Sequence, residues 1–456
     1  MKGLTINNII EVTNGVYYGT NDLTLMNTEV TGVFTDSRKV TEGSLFIPIV
    51  GERVDGHDFI PGVLSKGALF TLSERKLEDV KGPVVVVKSS LQALKDIAEF
   101  YLKQLDIKVV GITGSVGKTS TKEMVASVLE QQFKTLKTDG NFNNEIGLPL
   151  TVFRLSGEEE IAVLEMGISD FGEMSRLTKI ARPDVAVITN IGLCHLENLK
   201  TREGILKAKT EIFEGLKEGG KICLNGDDDK LATVTSYGNS EIIFFGKSDN
   251  NKIYASDIEN LGLKGTKCTI NCDGLSITVK IPVPGIHMVY NALAACAVGR
   301  SFGMTMEKIA AGIENLKPVN GRVNMIETDM FTIIDDCYNA NPVSMKSSID
   351  ILKDALGRKV CILGDMFELG ENEKELHKEV GEHIKTSDID LLITIGTLSE
   401  QIKLGAAGGK TECVHFADKK AAFEKLDKLL NKGDSILVKA SHGMVFPEVV
   451  EFLENI

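Results

Sequence analysis

Hydrophobic and polar positions along this chain form two series of short buried runs, separated by segments with helical spacing. In the first series the apolar runs are Ile107–Ile112, Ile161–Met166, Val185–Ile191 and Lys221–Leu224. In the second they are Phe331–Ile334, Val360–Leu363, Leu391–Ile395 and Ile436–Val438. Continuous apolar runs that alternate with helix-length segments are typical of parallel sheets covered by helices. Each series therefore predicts an α/β domain.

Chain length and the change of pattern predict three domains. A chain of 456 residues corresponds to three domains at about 150 residues each. Residues 1–83 contain short mixed segments and are predicted to form a small α/β domain, with a boundary at Gly82-Pro83. A second boundary at Lys317-Pro318 leaves a central nucleotide-binding domain at 84–317 and a Rossmann-like domain at 318–456.

Composition narrows the class of protein. The chain is 43% hydrophobic and 25% charged, with a formal net charge of -13. This acidity argues against a general nucleic-acid surface, which needs clustered Lys and Arg. The N-terminal segment lacks a signal-peptide pattern and no apolar run approaches about 18 residues, so a cytoplasmic protein without membrane insertion is expected. The eight cysteines are interpreted as buried small residues, and the close pair Cys268 and Cys272 as strand residues rather than a metal site.

The strongest chemical feature is the segment Thr113-Gly-Ser-Val-Gly-Lys-Thr119, which lies between a predicted strand and a predicted helix. Its glycines let backbone N–H groups face phosphates, Lys118 can reach the β- and γ-phosphates of ATP, and the Thr119 hydroxyl can bind Mg²⁺. One departure from the common phosphate loop is Ile112, which stands where the first glycine is expected. The helix is predicted from the spacing of Met124, Val125, Val128, Leu129 and Phe133.

Two further polar residues follow predicted strands of the same domain. Glu165 ends one apolar run and His195 follows the next. Ligand sites in parallel sheets lie at the carboxyl ends of the strands, which favours Glu165 as a Mg²⁺ ligand and makes His195 a second candidate. The residues alone leave alternatives open: Glu165 as a solvated strand-end charge, and His195 as an ordinary hydrogen-bonding residue.

Lys209 occupies an unusual position for a lysine. It shares one face of a predicted helix with Ile205, Ile212 and Leu216. Burial on that face would lower the pKa of Lys209 and make its neutral amine available as a nucleophile, for instance towards carbon dioxide. The alternative is a lysine whose stem packs on the apolar face while its ammonium group reaches water.

Taken together, these motifs resemble the Mur ligase family in all three predicted domains. The last two of the matching blocks resemble most closely the branch that adds D-alanyl-D-alanine to UDP-N-acetylmuramoyl-tripeptide. The blocks are Asp36–Val40, Gly51–His57, the phosphate loop with Ile112 before it, Gly140–Pro149, Leu164–Gly167, Asn190–His195, Ala208–Phe213, Pro284–Ala295, Asn320–Arg322, Asp335–Pro342 and Leu363–Gly370.

The resemblance implies ATP, two Mg²⁺ ions and carbon dioxide, the last bound as a carbamate on Lys209. It implies that the first domain binds the UDP-muramoyl peptide and the third the incoming dipeptide. The catalytic residues would be Lys118, Glu165, His195 and Lys209, with Thr119 and Glu165 on one metal and His195 and Lys209 on the other. ATP would be bound by Gly114, Ser115, Gly117, Lys118, Thr119, Ser120, Asn291, Arg322 and Asp336. The peptide substrates would be bound by Ser37, Arg38, His57, Asn143, Asn144, Tyr338, Asn339, Asn341, Lys439 and Ser441.

The implied reaction is amide-bond formation through an acyl phosphate, in a monomer whose C-terminal domain closes when nucleotide binds. Two positions depart from the family pattern. Cys337 stands where Ser is usual, and His442 where Arg is usual, so a carboxylate on the dipeptide would be held more weakly. Two alternative functions remain: another ligase of the superfamily, such as folylpolyglutamate synthase, and a nucleotide-dependent switch protein, which would explain the phosphate loop but not Lys209.

Overall fold

Three sheets follow one another along the chain and form the framework of the protein. The computed structural model describes residues 1–20, 22–51, 53–77 and 82–456. In this part of the chain the sheets have five, nine and six strands. The predicted α/β class with three sheet-bearing units is confirmed.

The first sheet belongs to the N-terminal unit and has the order β1-β5-β4-β3-β2. Val84–Val86 pairs with β1 and β4, so this sheet extends beyond the boundary predicted at residue 83. The strands are β1 Val16–Tyr18, β2 Val33–Phe34, β3 Leu45–Phe46, β4 Phe70–Ser73 and β5 Val84–Val86. The helices are α1 Ile6–Thr13, α2 Leu23–Asn27, α3 Ile60–Ser65 and α4 Ser90–Lys103, with a 3₁₀ turn at Gly56–Phe59.

The second sheet forms the middle unit and has the order β14-β13-β12-β11-β10-β9-β6-β8-β7. Neighbours from β7 to β12 run parallel, and β13 and β14 continue the sheet antiparallel. Its strands are β6 Lys108–Thr113, β7 Thr135–Lys137, β8 Ile161–Glu165, β9 Val185–Ile188, β10 Lys221–Asn225, β11 Glu241–Gly246, β12 Ile253–Asn260, β13 Thr266–Cys272 and β14 Leu275–Ile281. Its helices are α5 Lys118–Leu129, α6 Gly147–Val152, α7 Glu173–Ala181, α8 Leu196–Leu199, α9 Arg202–Thr210, α10 His287–Ser301 and α11 Met306–Glu314, and 3₁₀ turns lie at Glu211–Gly215, Leu231–Thr233 and Gly262–Lys264.

The third sheet has the order β15-β16-β20-β17-β18-β19, parallel except for the β15–β16 pair. Its strands are β15 Asn324–Glu327, β16 Thr332–Asp335, β17 Lys359–Gly364, β18 Leu391–Ile395, β19 Glu412–Phe416 and β20 Ser435–Lys439. Its helices are α12 Pro342–Lys353, α13 Glu373–Lys385, α14 Glu400–Ala406, α15 Lys419–Phe423, α16 Leu426–Leu429 and α17 Pro447–Glu454, with 3₁₀ turns at Gly370–Asn372 and His442–Met444.

The elements predicted from apolar runs are present, with small differences at their ends. Helix α5 ends at Leu129, so Phe133 is not on the helix as predicted. The N–H groups of Gln131 and Gln132 instead close tight turns onto Val128 and Leu129, and the Phe133 ring lies 6.3 Å from that of Phe302. Cys268 and Cys272 are buried on the same side of β13, as strand residues of the second core.

Strand order brings the carboxyl ends that carry the motifs to one place. In the middle sheet, β6 lies between β8 and β9, and the chain leaves the ends of these strands at Thr113, Glu165 and Ile188. This is the point where the strand order reverses, the usual ligand position in an open parallel sheet. In the third sheet the loops that follow β16, β17 and β20 contain the blocks at Asp335–Pro342 and Leu363–Gly370 and the residue His442.

Candidate active site

The phosphate loop joins β6 to α5, and two of its glycines are required by its shape. Gly114 has φ 151°, and a Cβ added there would lie 1.9 Å from Thr189 Oγ1. Gly117 has φ 81° and precedes the first residue of α5. A side chain at either position would be strained, and at Gly114 it would also collide. The loop can therefore approach a phosphate group with its backbone.

The loop is held in place by the residues that follow β9. Asn190 Oδ1 accepts a hydrogen bond from Val116 N at 3.0 Å, and Asn190 Nδ2 donates to Val116 O at 2.9 Å. The Thr189 hydroxyl donates to the same carbonyl at 2.7 Å. The Ser115 hydroxyl accepts from Gly192 N at 2.9 Å, so it links the loop to the same segment. Val185–Ile191 was predicted as one strand, but β9 ends at Ile188 and the next residues hold the loop.

Lys118 and Thr119 begin α5 and present their side chains beside the loop. Lys118 Nζ donates to Gly114 O at 2.9 Å. Thr119 Oγ1 lies 3.4 Å from Arg322 Nη2, so a residue that follows the second predicted boundary contacts the phosphate loop. The N-terminus of α5 adds exposed N–H groups and the positive end of the helix dipole. This combination is suited to a polyphosphate.

A cavity of about 420 Å³ extends from the loop towards α10 and β11. Phe245, Val283 and Leu316 give it apolar walls, while the Tyr290 hydroxyl donates to Asp227 Oδ2 at 3.0 Å. Burial and the neighbouring Asp227 charge raise the pKa of Tyr290, so the phenol stays protonated. Apolar walls with a few polar groups suit a flat heterocycle joined to a sugar. The predicted ATP-binding residues in its lining are Gly117, Ser120, Asn291, Arg322 and Asp336, and predicted substrate-binding Lys439 also lies there.

Asn291 connects this cavity to the phosphate loop. Its Oδ1 accepts a hydrogen bond from Thr121 Oγ1 at 2.9 Å, and a Cβ on Gly117 would lie 3.6 Å from the same oxygen. His287, one turn earlier on α10, also lines the cavity, and burial lowers its pKa. Neither His287 nor Tyr290 was singled out from the sequence, although both lie in the Pro284–Ala295 block.

A second cavity, of about 630 Å³, lies on the other side of the loop. Most of its lining comes from the middle unit and from residues around the third sheet. The predicted residues in its lining are Ser115, Gly117, Lys118, Thr119, Asn143, Asn144, Glu165, His195, Arg322, Tyr338, Asn339 and Asn341. Three of the four predicted catalytic residues thus share one cavity.

Glu165 combines burial with an unpaired oxygen. Its side chain is 2% exposed, Oε1 accepts from Asn143 Nδ2 at 2.8 Å, and Oε2 has no hydrogen-bond partner among the described residues. A buried carboxylate oxygen without a partner is costly unless a cation or donor completes it. Together with the Thr119 hydroxyl in the same cavity, it offers the hard oxygen ligands that Mg²⁺ prefers. The residues present therefore fit a magnesium ion.

His195 precedes α8 and contacts the third sheet's unit. Its Nδ1 lies 3.2 Å from Glu368 Oε2, and both residues line the larger cavity. The contact with His195 lowers the pKa of Glu368, so this carboxylate remains charged. Within the described ranges no group of three or more His, Cys, Asp or Glu side chains is spaced to hold a metal. A Mg²⁺ ion here would keep water or phosphate oxygens as its remaining ligands, as is usual for this ion.

Lys209 is buried on α9 and, unlike the other three predicted catalytic residues, lines neither cavity. It is 1% exposed, and burial, assisted by the positive charge of Lys118, lowers its pKa from 10.5 to about 7. The predicted helix face is shorter than expected: α9 ends at Thr210, and Glu211–Gly215 form a 3₁₀ turn. The reason is local, since the Thr178 hydroxyl donates to Ile212 O at 2.7 Å and the turn packs tightly on α7. Lys209 is nevertheless buried, as its place on the apolar face predicted, and its amine is partly neutral at pH 7.

A buried ion pair connects the loops of the third sheet. Lys439 Nζ donates to Asp336 Oδ2 and to Asn339 O, and Asp336 Oδ1 accepts from Val323 N at 3.2 Å. Ser348 Oγ donates to Asp336 Oδ2. Burial lowers the pKa of Lys439, although the Asp336 charge acts in the opposite direction. These contacts fix the loop after β16, which presents Tyr338 and Asn339 to the larger cavity.

Models of one family match the chain in three consecutive segments. "Mur ligase family, catalytic domain" matches residues 29–102, "Mur ligase middle domain" residues 112–299, and "Mur ligase, glutamate ligase domain" residues 321–442. The chain belongs to the Mur ligase family. The resemblance of its motifs is thereby confirmed.

Relatives in the family cover the full length of the chain. The UDP-N-acetylmuramoyl-tripeptide–D-alanyl-D-alanine ligase of Bacillus subtilis (strain 168) is 41% identical, covering 98% of this chain and 98% of that protein. MurF from Acinetobacter baumannii has a TM-score of 0.92 at 30% identity, covering 99% of each chain. MurF ligase from Thermotoga maritima, in complex with ADP, has a TM-score of 0.83 at 35% identity, covering 93% of this chain and 97% of that one.

The residues predicted to bind the UDP-linked substrate lie apart from both cavities. Arg38 has a side chain that is 87% exposed and donates to Asp36, and Ser37 precedes it. His57 is buried: its Nδ1 lies 2.6 Å from Asp55 Oδ1, and its Nε2 accepts from Glu74 N at 2.9 Å. Within the same block, Glu52 lies outside the described residues.

Some predicted polar residues use their side chains within the protein. Asn144 Oδ1 accepts from Gly147 N at 2.8 Å, and Asn341 caps α12 by accepting from Ser344 N at 2.9 Å. Ser441 is 3% exposed, and its hydroxyl accepts from Phe367 N at 2.9 Å. Each of these side chains therefore stabilises a nearby loop or helix end through a hydrogen bond to the backbone.

The two departures from the family pattern lie near the larger cavity. Cys337 is buried and its thiol donates to Asp335 Oδ1 at 2.8 Å, as a serine hydroxyl could. The His442 ring lies 5.6 Å from that of Tyr338, which in turn is covered by the Arg322 guanidinium at 4.0 Å.

In the described part of the chain no helix is both long and apolar enough to cross a membrane.

Proposed function

We propose that this chain is an ATP-dependent ligase that joins UDP-N-acetylmuramoyl-tripeptide to D-alanyl-D-alanine through an amide bond. The observation that carries the proposal is the larger cavity, where the phosphate loop faces the partly unpaired Glu165 carboxylate and the loops of a second domain. Such a space can hold a γ-phosphate, a carboxylate that attacks it and an amine that follows. The full-length relationship to a ligase of this name, at 41% identity, supports the choice of substrates.

In the first step, a carboxylate oxygen of the tripeptide forms a bond to the γ-phosphorus of ATP while the bond to the β-phosphate oxygen breaks. ADP leaves and an acyl phosphate results. Lys118 and the backbone N–H groups of the loop offset the negative charge on the transferring group, which is the main contribution a protein makes to phosphoryl transfer. Asn291 and Tyr290 orient the nucleoside in the smaller cavity, and Arg322 lies between the two cavities.

In the second step, the amine of D-alanyl-D-alanine attacks the acyl carbon, and phosphate leaves as the amide bond forms. Tyr338, Asn339 and His442 face the cavity from the third unit and are suited to orient the dipeptide. His442 would hold the dipeptide carboxylate with a single imidazole rather than with a bidentate guanidinium. Closure of the cavity excludes water, which protects the acyl phosphate from hydrolysis.

Metal ions have a defined place in this proposal. We infer that Thr119 and Glu165 hold one Mg²⁺, and that His195 with a carbamate on Lys209 holds a second. Bound Mg²⁺ would neutralise charge on the phosphates, and carbamylation would convert a buried cation into an anion. The low pKa of Lys209 supports carbamylation, because only the neutral amine reacts with carbon dioxide.

Phosphate release tests the proposed function. Wild-type protein with ATP and Mg²⁺ should release phosphate only when both the UDP-linked tripeptide and D-alanyl-D-alanine are present. Lys118→Ala should abolish this release. Phosphate release when both substrates are absent would favour a nucleotide-dependent switch protein. Phosphate release with a folate and glutamate would favour folylpolyglutamate synthase. Tripeptides ending in lysine or in diaminopimelate, assayed separately, identify the third residue.

We further propose that the protein acts as a cytoplasmic monomer. Residues of one chain line both cavities, so no second copy is needed to build the site. Native mass spectrometry during turnover would test this, and a dimer as the active species would contradict it.

A further inference from the structure

A contact across the larger cavity connects the middle unit to the block Leu363–Gly370. The reaction described above gives this block no role. It follows β17 and ends in a 3₁₀ turn at Gly370–Asn372. From it, Glu368 reaches His195 of the middle unit, with Oε2 3.2 Å from Nδ1. Of the residues in this block, Glu368 is the one that lines the cavity.

The segment that presents Glu368 is fixed by two side chains of the third unit. Met366 N donates to His377 Nε2 at 2.8 Å, and Phe367 N donates to Ser441 Oγ at 2.9 Å. His377 is fully buried and its Nδ1 contacts Glu373 O at 2.6 Å. Two consecutive backbone N–H groups are thus held immediately before Glu368. The backbone that carries Glu368 is therefore set by the packing of the third unit, while its side chain is 69% exposed and reaches across the cavity.

Both members of the contact have unusual backbone conformations. Glu368 has φ 61° and His195 has φ 49°. Left-handed conformations of residues other than glycine cost on the order of 1 kcal/mol or more and persist where the surroundings impose them. Each of the two loops therefore holds its residue in a conformation that the surrounding chain imposes.

The contact also defines which nitrogen of His195 is free. With the carboxylate at Nδ1, Nε2 is the ring nitrogen that is left for a metal ion. Carboxylates that pair with metal-binding histidines fix the ring orientation in this way, and their removal typically weakens metal binding about 10- to 100-fold. Glu368 differs from an ordinary partner of this kind because it comes from another domain.

We propose that Glu368 is a positioning residue for the phosphoryl-transfer centre: it orients His195 from the C-terminal domain, so that the centre is complete only when that domain is closed. This inference rests on the proposed role of His195 in binding Mg²⁺. Its consequence is that the domain proposed to bind the dipeptide also controls assembly of the site that activates the tripeptide.

Binding of a non-hydrolysable ATP analogue, measured by calorimetry without tripeptide or dipeptide, tests the inference. Glu368→Ala should weaken analogue binding about 10-fold or more with Mg²⁺ present, and should leave it unchanged with a chelator. Glu368→Gln should fall between this variant and wild type, since its amide can still contact Nδ1 of His195 but carries no charge. The matched control is Glu371→Gln, which removes an exposed carboxylate from the adjacent turn and should bind as wild type does.

A double variant separates positioning from a general loss of structure. With His195 already replaced by alanine, Glu368→Ala should cause no additional loss of Mg²⁺-dependent binding. The inference is overturned if Glu368→Ala binds like Glu371→Gln, or if it weakens binding equally with the chelator. If the wild type releases no phosphate with both substrates while the binding results hold, the proposed reaction fails and the positioning role remains.

Discussion

The buried amine of Lys209 makes a prediction about stability that can be worked out from the structure. Its pKa is lowered from 10.5 to about 7. Below pH 7 the folded and unfolded states both carry the proton, so the cost of burying the charge is fully present there. Between pH 7 and 10.5 the folded state has lost the proton while the unfolded state keeps it, so stability rises with pH. Burying the charged amine therefore lowers the free energy of unfolding by at most about 5 kcal/mol.

Lys209→Met removes this cost and leaves an apolar side chain of similar length. In buffer free of carbon dioxide, the variant should exceed the wild type in free energy of unfolding by about 5 kcal/mol at pH 6 and by about 2 kcal/mol at pH 9. The matched control is Lys207→Met, since Lys207 lies two residues away on α9 and is exposed. It should change stability by less than about 0.5 kcal/mol at either pH.

Urea unfolding followed by circular dichroism at the two pH values measures these differences. A second readout is carbamate formation from ¹³C-labelled carbon dioxide, detected by NMR. At pH 7 an amine with a pKa near 7 is neutral in about half of the molecules, against about 0.03% for an ordinary lysine. A stabilisation that is the same at pH 6 and pH 9, or a carbamate signal that survives in Lys209→Met but not in Lys207→Met, would refute the reasoning.

Three further predictions concern the loop, the buried ion pair and the dipeptide. Gly114→Ala should abolish binding of an ATP analogue in calorimetry, because its Cβ would collide with a neighbouring hydroxyl, whereas Gly62→Ala, with no atom within 4 Å, should bind normally. Asp336→Asn should lower the free energy of unfolding by about 3 kcal/mol or more in urea titrations, since it leaves the Lys439 charge buried without its partner. His442→Arg should bind D-alanyl-D-alanine more tightly, because a guanidinium can hold its carboxylate through two parallel hydrogen bonds; an unchanged dissociation constant would contradict this.

The strand pattern is sufficient to predict the sheets and the place of the site. Parallel strands buried on both faces have continuous apolar runs, and each run ends where the chain meets solvent or ligand. The ends of two such runs, at Thr113 and Glu165, are therefore expected at the same sheet edge, where the structure has them. The phosphate loop is equally clear in the sequence, because its chemistry depends on the local order of glycine, lysine and threonine.

Helix length and side-chain partners are less predictable, because they depend on contacts between distant segments. The apolar spacing from Ile205 to Leu216 is that of one helix. In the structure, however, the Thr178 hydroxyl on another helix donates a hydrogen bond to Ile212 O, within the predicted last turn. Ser441 carries a hydroxyl that could bind a substrate, yet a backbone N–H from the neighbouring loop occupies it. Neither hydrogen-bond partner is close enough in the sequence to be part of the local pattern of apolar and polar residues.

Glu368 shows most clearly what a linear pattern leaves out. In the sequence it lies between two apolar residues, and its distance from His195 along the chain gives no reason to connect them. In the structure two hydrogen bonds fix the preceding backbone, and Glu368 lines a cavity built mainly by another domain. A ligase that makes an acyl phosphate loses it to water if the second substrate is absent. Coupling the orientation of His195 to closure of the dipeptide-binding domain would confine activation of the tripeptide to the closed state, from which water is excluded.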